Sequence, residues 1–253
     1  MNMELLTAMF LAFCRIGSFL FFLPVFSSRA LPAMAKMVFG LALAASVADR
    51  IPLEKIDGVP ALFAYAATQI IIGIALAKIV ELFMSIPKMA GNLIDMDMGL
   101  AQVTLFDYNA GSQATALAIL LDIFFVIVFI SLGGIDYLVL AIMKSFQYTE
   151  TAAALLHTDF LKMVLSTLLF AMTSAVEIAL PIMGSLFIIN FVMLIIGKSA
   201  PQLNIFANAA MVKLTVGILI MGASVPMLGF VFKNLTARLL EEYTNVFNFF
   251  LTK

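Results

Sequence analysis

The chain has 253 residues; 64% are hydrophobic, 11% are charged, and the mean hydropathy is +1.13. Soluble globular chains run nearer half apolar and a quarter charged, so this composition excludes a water-soluble enzyme with one core, and equally a disordered chain. The 14 basic and 15 acidic residues leave a net charge of -1, which gives no footprint for nucleic acid.

The apolar residues come in long blocks. A hydrocarbon core about 30 Å thick takes roughly 20 helical residues to cross. Backbone in lipid must satisfy its own hydrogen bonds, so the blocks are expected as helices; solid runs without alternation argue against a β-barrel. The first block covers residues 4–26 and lacks the basic start of a signal peptide, so it is read as a retained helix. Residues 34–47 form a short second block, either buried in protein or one half of a hairpin with the first. A polar linker, 49–58, leads to a third block, 59–86, which ends at Pro87. Residues 88–115 differ in kind. With Asn92, Asp95, Asp97, Gln102, Asp107 and Asn109 they are too polar for lipid and too apolar for an ordinary loop. They suit irregular backbone facing a cavity.

The fourth block, 116–143, carries a break at Gly133 and Gly134. A polar connection, 144–159, holds the one histidine, His157, read as an ordinary loop residue. Residues 160–196 are too long for one untilted span, and Pro181 either kinks one helix or divides two. After a polar break at 197–202, the block 209–232 is interrupted by Pro226. The tail from about 233 to 253 mixes apolar and charged residues and is expected to lie amphipathically at an interface. The fold class is therefore an all-α integral membrane protein of five to seven long apolar helices, several broken or hairpin-forming. Residues 1–253 are read as a single domain.

Six ionisable residues fall inside apolar blocks: Arg15, Lys78, Glu81, Asp122, Glu177 and Lys213. A charge at the bilayer centre costs about 2.5–3.5 kcal/mol, so these should face helices, partner subunits or water. Lys78 and Glu81 are three apart and can meet on one helical face, as a structural pair or as part of a proton relay. Arg15 and Lys213 either snorkel or pair with a neighbouring subunit. Asp95 and Asp97 point to different faces of a helix, which makes a poor acid/base pair; a helix-end cap next to Gly99 is the simpler role. With one cysteine, Cys14, one histidine and no phosphate-binding glycine loop, no catalytic residue, metal or cofactor is assigned, and the chain is not expected to be an enzyme. Small residues such as Gly40, Gly73, Gly184 and Gly217 allow close backbone approach. Their surplus over the helices one chain can pack points to a larger assembly.

Three stretches resemble the FliR family of the flagellar export gate, shared with the T subunit of virulence type III secretion. CRIGSFLFFLPVFSSRALPAMAKMVFGLALA is similar to the family's opening, with Arg15 and Pro24. AGNLIDMDMGLAQVTLFDYNAG resembles its glycine–aspartate–methionine stretch at Gly91, Asp95, Met98 and Gly99. KSAPQLNIFANAAMVKLTVGIL resembles its late motif, with Pro201, Gln202, Asn204, Phe206, Lys213 and Gly217. The family often has proline where Tyr108 stands, and histidine where Ile135 and Asp136 follow the glycine pair. The resemblance implies one copy of this chain in a pseudo-helical hetero-oligomer with FliP and FliQ. That gate sits in the bacterial cytoplasmic membrane at the flagellar basal body, associates with FlhA and FlhB, and conducts unfolded export substrates. It also implies a pore plug at Phe106, Asp107, Tyr108, Asn109, Ala110, Gly111, Ser112 and Gln113. Lys78, Glu81, Asp122 and Glu177 would then be buried charges that pair helices or subunits. The alternative is a secondary transporter using the intramembrane carboxylates Asp122 and Glu177.

Overall fold

A computed structural model of the chain describes residues 3–27, 32–51, 58–99, 115–147, 158–199 and 205–251. Among them there is no strand. Eight α-helices follow in order: α1 (Met3–Phe22), α2 (Pro24–Ser27), α3 (Ala33–Val47), α4 (Gly58–Met98), α5 (Ala116–Ser131), α6 (Gly134–Lys144), α7 (Thr158–Ser199) and α8 (Ile205–Leu251). Short 3-10 turns, Ala48–Arg50 and Ser145–Gln147, extend α3 and α6. The chain is an all-α protein with four helices long and apolar enough to cross a membrane: α1 and stretches of α4, α7 and α8. The broken pair α5 and α6 counts as a fifth if taken as one span.

Proline breaks the first block at Pro24 and leaves one helix rather than two at Pro181, both within the sequence expectation, while Pro87 and Pro226 depart from it. Pro24 starts α2, where its missing N–H costs nothing. Pro87 does not end α4, which runs on to Met98, and Pro181 and Pro226 lie inside the continuous helices α7 and α8. A membrane helix tolerates an interior proline when neighbouring packing holds the turns on either side. Around Pro87 the residues Ile86, Ala90, Gly91, Ile94 and Asp95 are all buried, so tertiary contact overrides the local break. Residues 88–98, expected as irregular backbone, are therefore the last turns of α4.

The chain falls into two compact units. One takes Met1–Phe83, Leu132–Leu168 and Thr236–Lys253; the other takes Met84–Ser131 and Leu169–Leu235. In the first, α1 buries a stripe at helical spacing, Ala8, Leu11, Ala12, Arg15, Ile16 and Phe19. α3 lies against it, with Gly40 facing the Phe13 ring and Leu20. The end of α8 belongs to the same core: Thr236, Leu239 and Tyr243 are buried. Tyr243 Oη donates to the Leu76 carbonyl at 2.6 Å, and Tyr137 Oη donates to the Leu240 carbonyl at 3.0 Å. The tail expected at a membrane interface is, through residue 244, a helix that packs one face into its own chain.

In the second unit, Ile86, Ala90 and Ile94 of α4 and Leu117, Leu121, Phe125 and Phe129 of α5 are buried. Phe232 of α8 stacks edge-on against Phe125 and Phe124, with ring centroids 5.4 and 5.3 Å apart.

A buried arginine and a capped helix junction as the candidate functional site

Arg15 is 2% exposed, in the middle of α1. Its Nε donates to Gln69 Oε1 at 2.6 Å, and its Nη1 donates to the Ser145 carbonyl at 2.7 Å and to Ser145 Oγ at 3.1 Å. The guanidinium carbon lies 4.3 Å from the centre of the Phe146 ring. This cation is held by neutral acceptors and an aromatic face rather than by a carboxylate. The expectation that Arg15 snorkels or pairs with a neighbouring subunit is therefore corrected: α1, α4 and the turn after α6 satisfy it inside the chain. The junction is tight. Gly73 of α4 abuts the Arg15 carbonyl and Ser18 Oγ so closely that a β-carbon there would collide with both. Sequence reading missed Gln69, a lone amide inside an apolar block, and Ser145, which stands at the start of the polar connection after the fourth block and carried no signal of its own.

The second constellation joins the end of α4 to the start of α5. Asp95 is fully buried, and its Oδ2 accepts the Leu117 backbone N–H at 2.8 Å. Leu117 is the second residue of α5, so this carboxylate caps the positive end of another helix rather than its own. Thr115 Oγ1 donates to Asn92 Oδ1 at 3.0 Å, one turn back along α4. Asp95 Oδ1 meets no donor among the described residues. Gly91 makes the approach possible: a β-carbon there would lie 2.6 Å from the Ala118 nitrogen and 2.8 Å from the Leu117 carbonyl carbon. Met98 packs against Gly217 of α8, and Gly99, at φ 82°, ends α4 in the left-handed conformation. Gly91, Asp95, Met98 and Gly217, singled out from two distant motifs, thus meet in one helix junction. Asp97 is half-buried.

The remaining charges separate. Lys78 pairs with Glu81 at 2.5 Å, but at the surface of the chain, with side chains 53% and 43% exposed. Asp122 pairs with Lys88 at 3.1 Å, a partner hidden by the expected helix end at Pro87. Glu177 is exposed on α7 and Lys213 is half-buried on α8; neither has an ion pair among the described residues. Pro201, Gln202, Asn204 and the stretch 106–113 lie outside the described residues, as do His157 and the side chain of Phe206. No group of three or more His, Cys, Asp or Glu able to hold a metal occurs among the described residues. An apolar groove of about 510 Å³ runs between α1 and α3, lined by Phe10, Phe13, Phe21 and Met37, with Lys36 as the one charge among the described residues that line it.

Neither constellation presents a nucleophile, acid and base to a common point. Both fix helices. The family model described as bacterial export proteins, family 1, matches residues 6–239. The flagellar biosynthetic protein FliR of Pectobacterium carotovorum subsp. carotovorum is 30% identical over 226 residues, covering 87% of this chain and 84% of the relative. The proteins of the same name from Aquifex aeolicus and Escherichia coli are 23% and 26% identical; they cover 98% and 81% of this chain, and 95% and 79% of their own lengths. With the match running through the arginine cage, the capped junction and both long C-terminal helices, the chain belongs to the FliR family of bacterial export proteins.

Proposed function

We propose that this chain is a non-enzymatic core subunit of the flagellar protein export gate. It works in the bacterial cytoplasmic membrane at the flagellar basal body, assembled with FliP and FliQ as one copy per particle. FlhA and FlhB are its further associates, and unfolded flagellar proteins are the cargo that the channel passes. The observation that carries this reading is the family match from residue 6 to residue 239, together with relatives named flagellar biosynthetic protein FliR. The helices support it. Within the chain 56% of the most apolar stretch of α4 is buried, against 22% for α7 and 17% for α8. A subunit of a larger particle leaves such faces for its neighbours.

The transporter alternative draws less support. Asp122 is engaged by Lys88, and Glu177 lies on an exposed helix face, so the two carboxylates do not frame a common ion site. Co-expression with FliP and FliQ, followed by mass measurement of the detergent-solubilised particle, tests the proposal. The expected result is a stable hetero-complex containing one copy of this chain. Isolation of the chain as a lone particle or homo-oligomer that moves small solutes would refute it.

A further inference from the structure

We propose that the exposed face of α7 around Glu177 is the seat of an apolar helix from a different subunit, and that this helix places a lysine or arginine against Glu177. The inference rests on the hetero-oligomeric reading above and adds to it the face, the anchor residue and the chemistry of the partner.

Lipid cannot be the whole cover of this face. Large apolar residues of α7 are exposed from Leu165 to Ile196, a span of 31 residues and about 47 Å at 1.5 Å per residue. The hydrocarbon core is about 30 Å thick, and a helix tilted by as much as 40° follows a path of only about 39 Å through it. The excess is apolar surface that needs protein.

Glu177 says what kind of protein. It sits among exposed apolar neighbours, Val176 and Leu180, in a stretch with no basic residue between Lys162 and Lys198. Its carboxylate has neither an ion pair nor a side-chain hydrogen bond among the described residues. Its backbone carbonyl is also short of a donor: the residue four places on is Pro181, which has no N–H. Two acceptor groups thus stand at one residue, on a surface where an uncompensated charge is costly. A side chain with several charged donors, Lys or Arg, complements both. Two turns along the same face, Gly184 is exposed with open space where a β-carbon would stand, so a partner backbone can come close. A second copy of this chain is the poorer occupant, because an isologous contact sets the same patch, with its carboxylate, against itself.

The test uses the full chain co-expressed with FliP and FliQ. Leu at position 177 separates the occupants by sign. On a face covered by lipid, Glu177→Leu removes a costly charge and leaves recovery of the complex unchanged or higher. Against a partner cation it strands that cation, and recovery should fall by about tenfold or more, with Glu177→Gln intermediate. The Glu177→Leu chain expressed alone should keep its helical circular dichroism, which separates lost assembly from lost folding. A benzophenone-bearing amino acid at position 184 should photocrosslink to FliP or FliQ. Crosslinks confined to lipid or to a second copy, or full recovery of the Glu177→Leu complex, would overturn the inference while leaving the gate reading intact. Failure of the wild-type chain to form any hetero-complex would remove both.

Discussion

Alanine in place of Gly91 puts a β-carbon 2.6 Å from the backbone nitrogen of Ala118, where ordinary contact begins at 3.4 Å. The obstacle is main chain on both sides, with the Ala118 Cα nearer still, so no side chain can swing away; α4 and α5 must part by at least 0.8 Å, the difference of those two distances. Asp95 lies one turn further along α4, and its bond to the Leu117 N–H is 2.8 Å long. The same parting stretches it to at least 3.6 Å (2.8 plus 0.8), beyond a hydrogen bond. Overpacking costs about 1–3 kcal/mol and a bond to a charged group about 1.5–3 kcal/mol, so Gly91→Ala should destabilise by about 2.5–6 kcal/mol. At about 2–4 °C per kcal/mol that lowers Tm by about 5 °C at the least. Thermal unfolding of the purified protein in detergent, followed by circular dichroism, reads it. Two variants calibrate the result. Gly184→Ala enters open space within a helix and should leave Tm unchanged or slightly raised; Gly217→Ala meets the flexible end of Met98, 2.5 Å from its terminal carbon, and should cost less than Gly91→Ala. If Gly91→Ala melts together with Gly184→Ala, the account of the junction is wrong.

Arg15→Lys should behave as a loss rather than a conservative change. An ammonium has three donors but not the planar fork that reaches Gln69 and Ser145 from fixed directions while lying over the Phe146 ring, and each acceptor left unpaired costs about 1–3 kcal/mol; a Tm equal to wild type would contradict the cage. Tyr243→Phe removes the 2.6 Å bond to the Leu76 carbonyl and should cost about 0.5–1.5 kcal/mol without altering helix content. Protease resistance of the C-terminal helix should drop with it. Lys88 and Asp122 are partly exposed, 46% and 29%, so their coupling in a double-mutant cycle should be only about 0.2–1 kcal/mol. A coupling of several kcal/mol would mean the pair is sealed from solvent.

The helical, membrane-bound character of the chain was legible because composition and block length are global signals. Boundaries were less so. Pro87 is a strong local breaker, yet the buried turn from Ile86 to Asp95 holds α4 together, and tertiary packing leaves no mark on a single sequence. Reading the helix as ended at Pro87 also hid Lys88 from Asp122. Asp95 was noticed for its spacing to Asp97, but its partner is a backbone N–H 22 residues away, and a main-chain donor has no residue type to search for. Arg15 was visible as a charge out of place. Its acceptors are neutral and lie 54 and 130 residues on, so the pattern of charges suggested snorkelling or a neighbouring subunit instead.

Those separations matter during synthesis. Translation at about 5–20 residues per second brings Ser145 out roughly 6–26 s after Arg15. For that interval the first apolar segment carries a cation whose cage is unfinished, and Gln69 alone has emerged to meet it. The cost of that cation at the bilayer centre, about 2.5–3.5 kcal/mol, is carried by the nascent chain until the turn after α6 is made, and truncation before Ser145 leaves it only partly offset by Gln69.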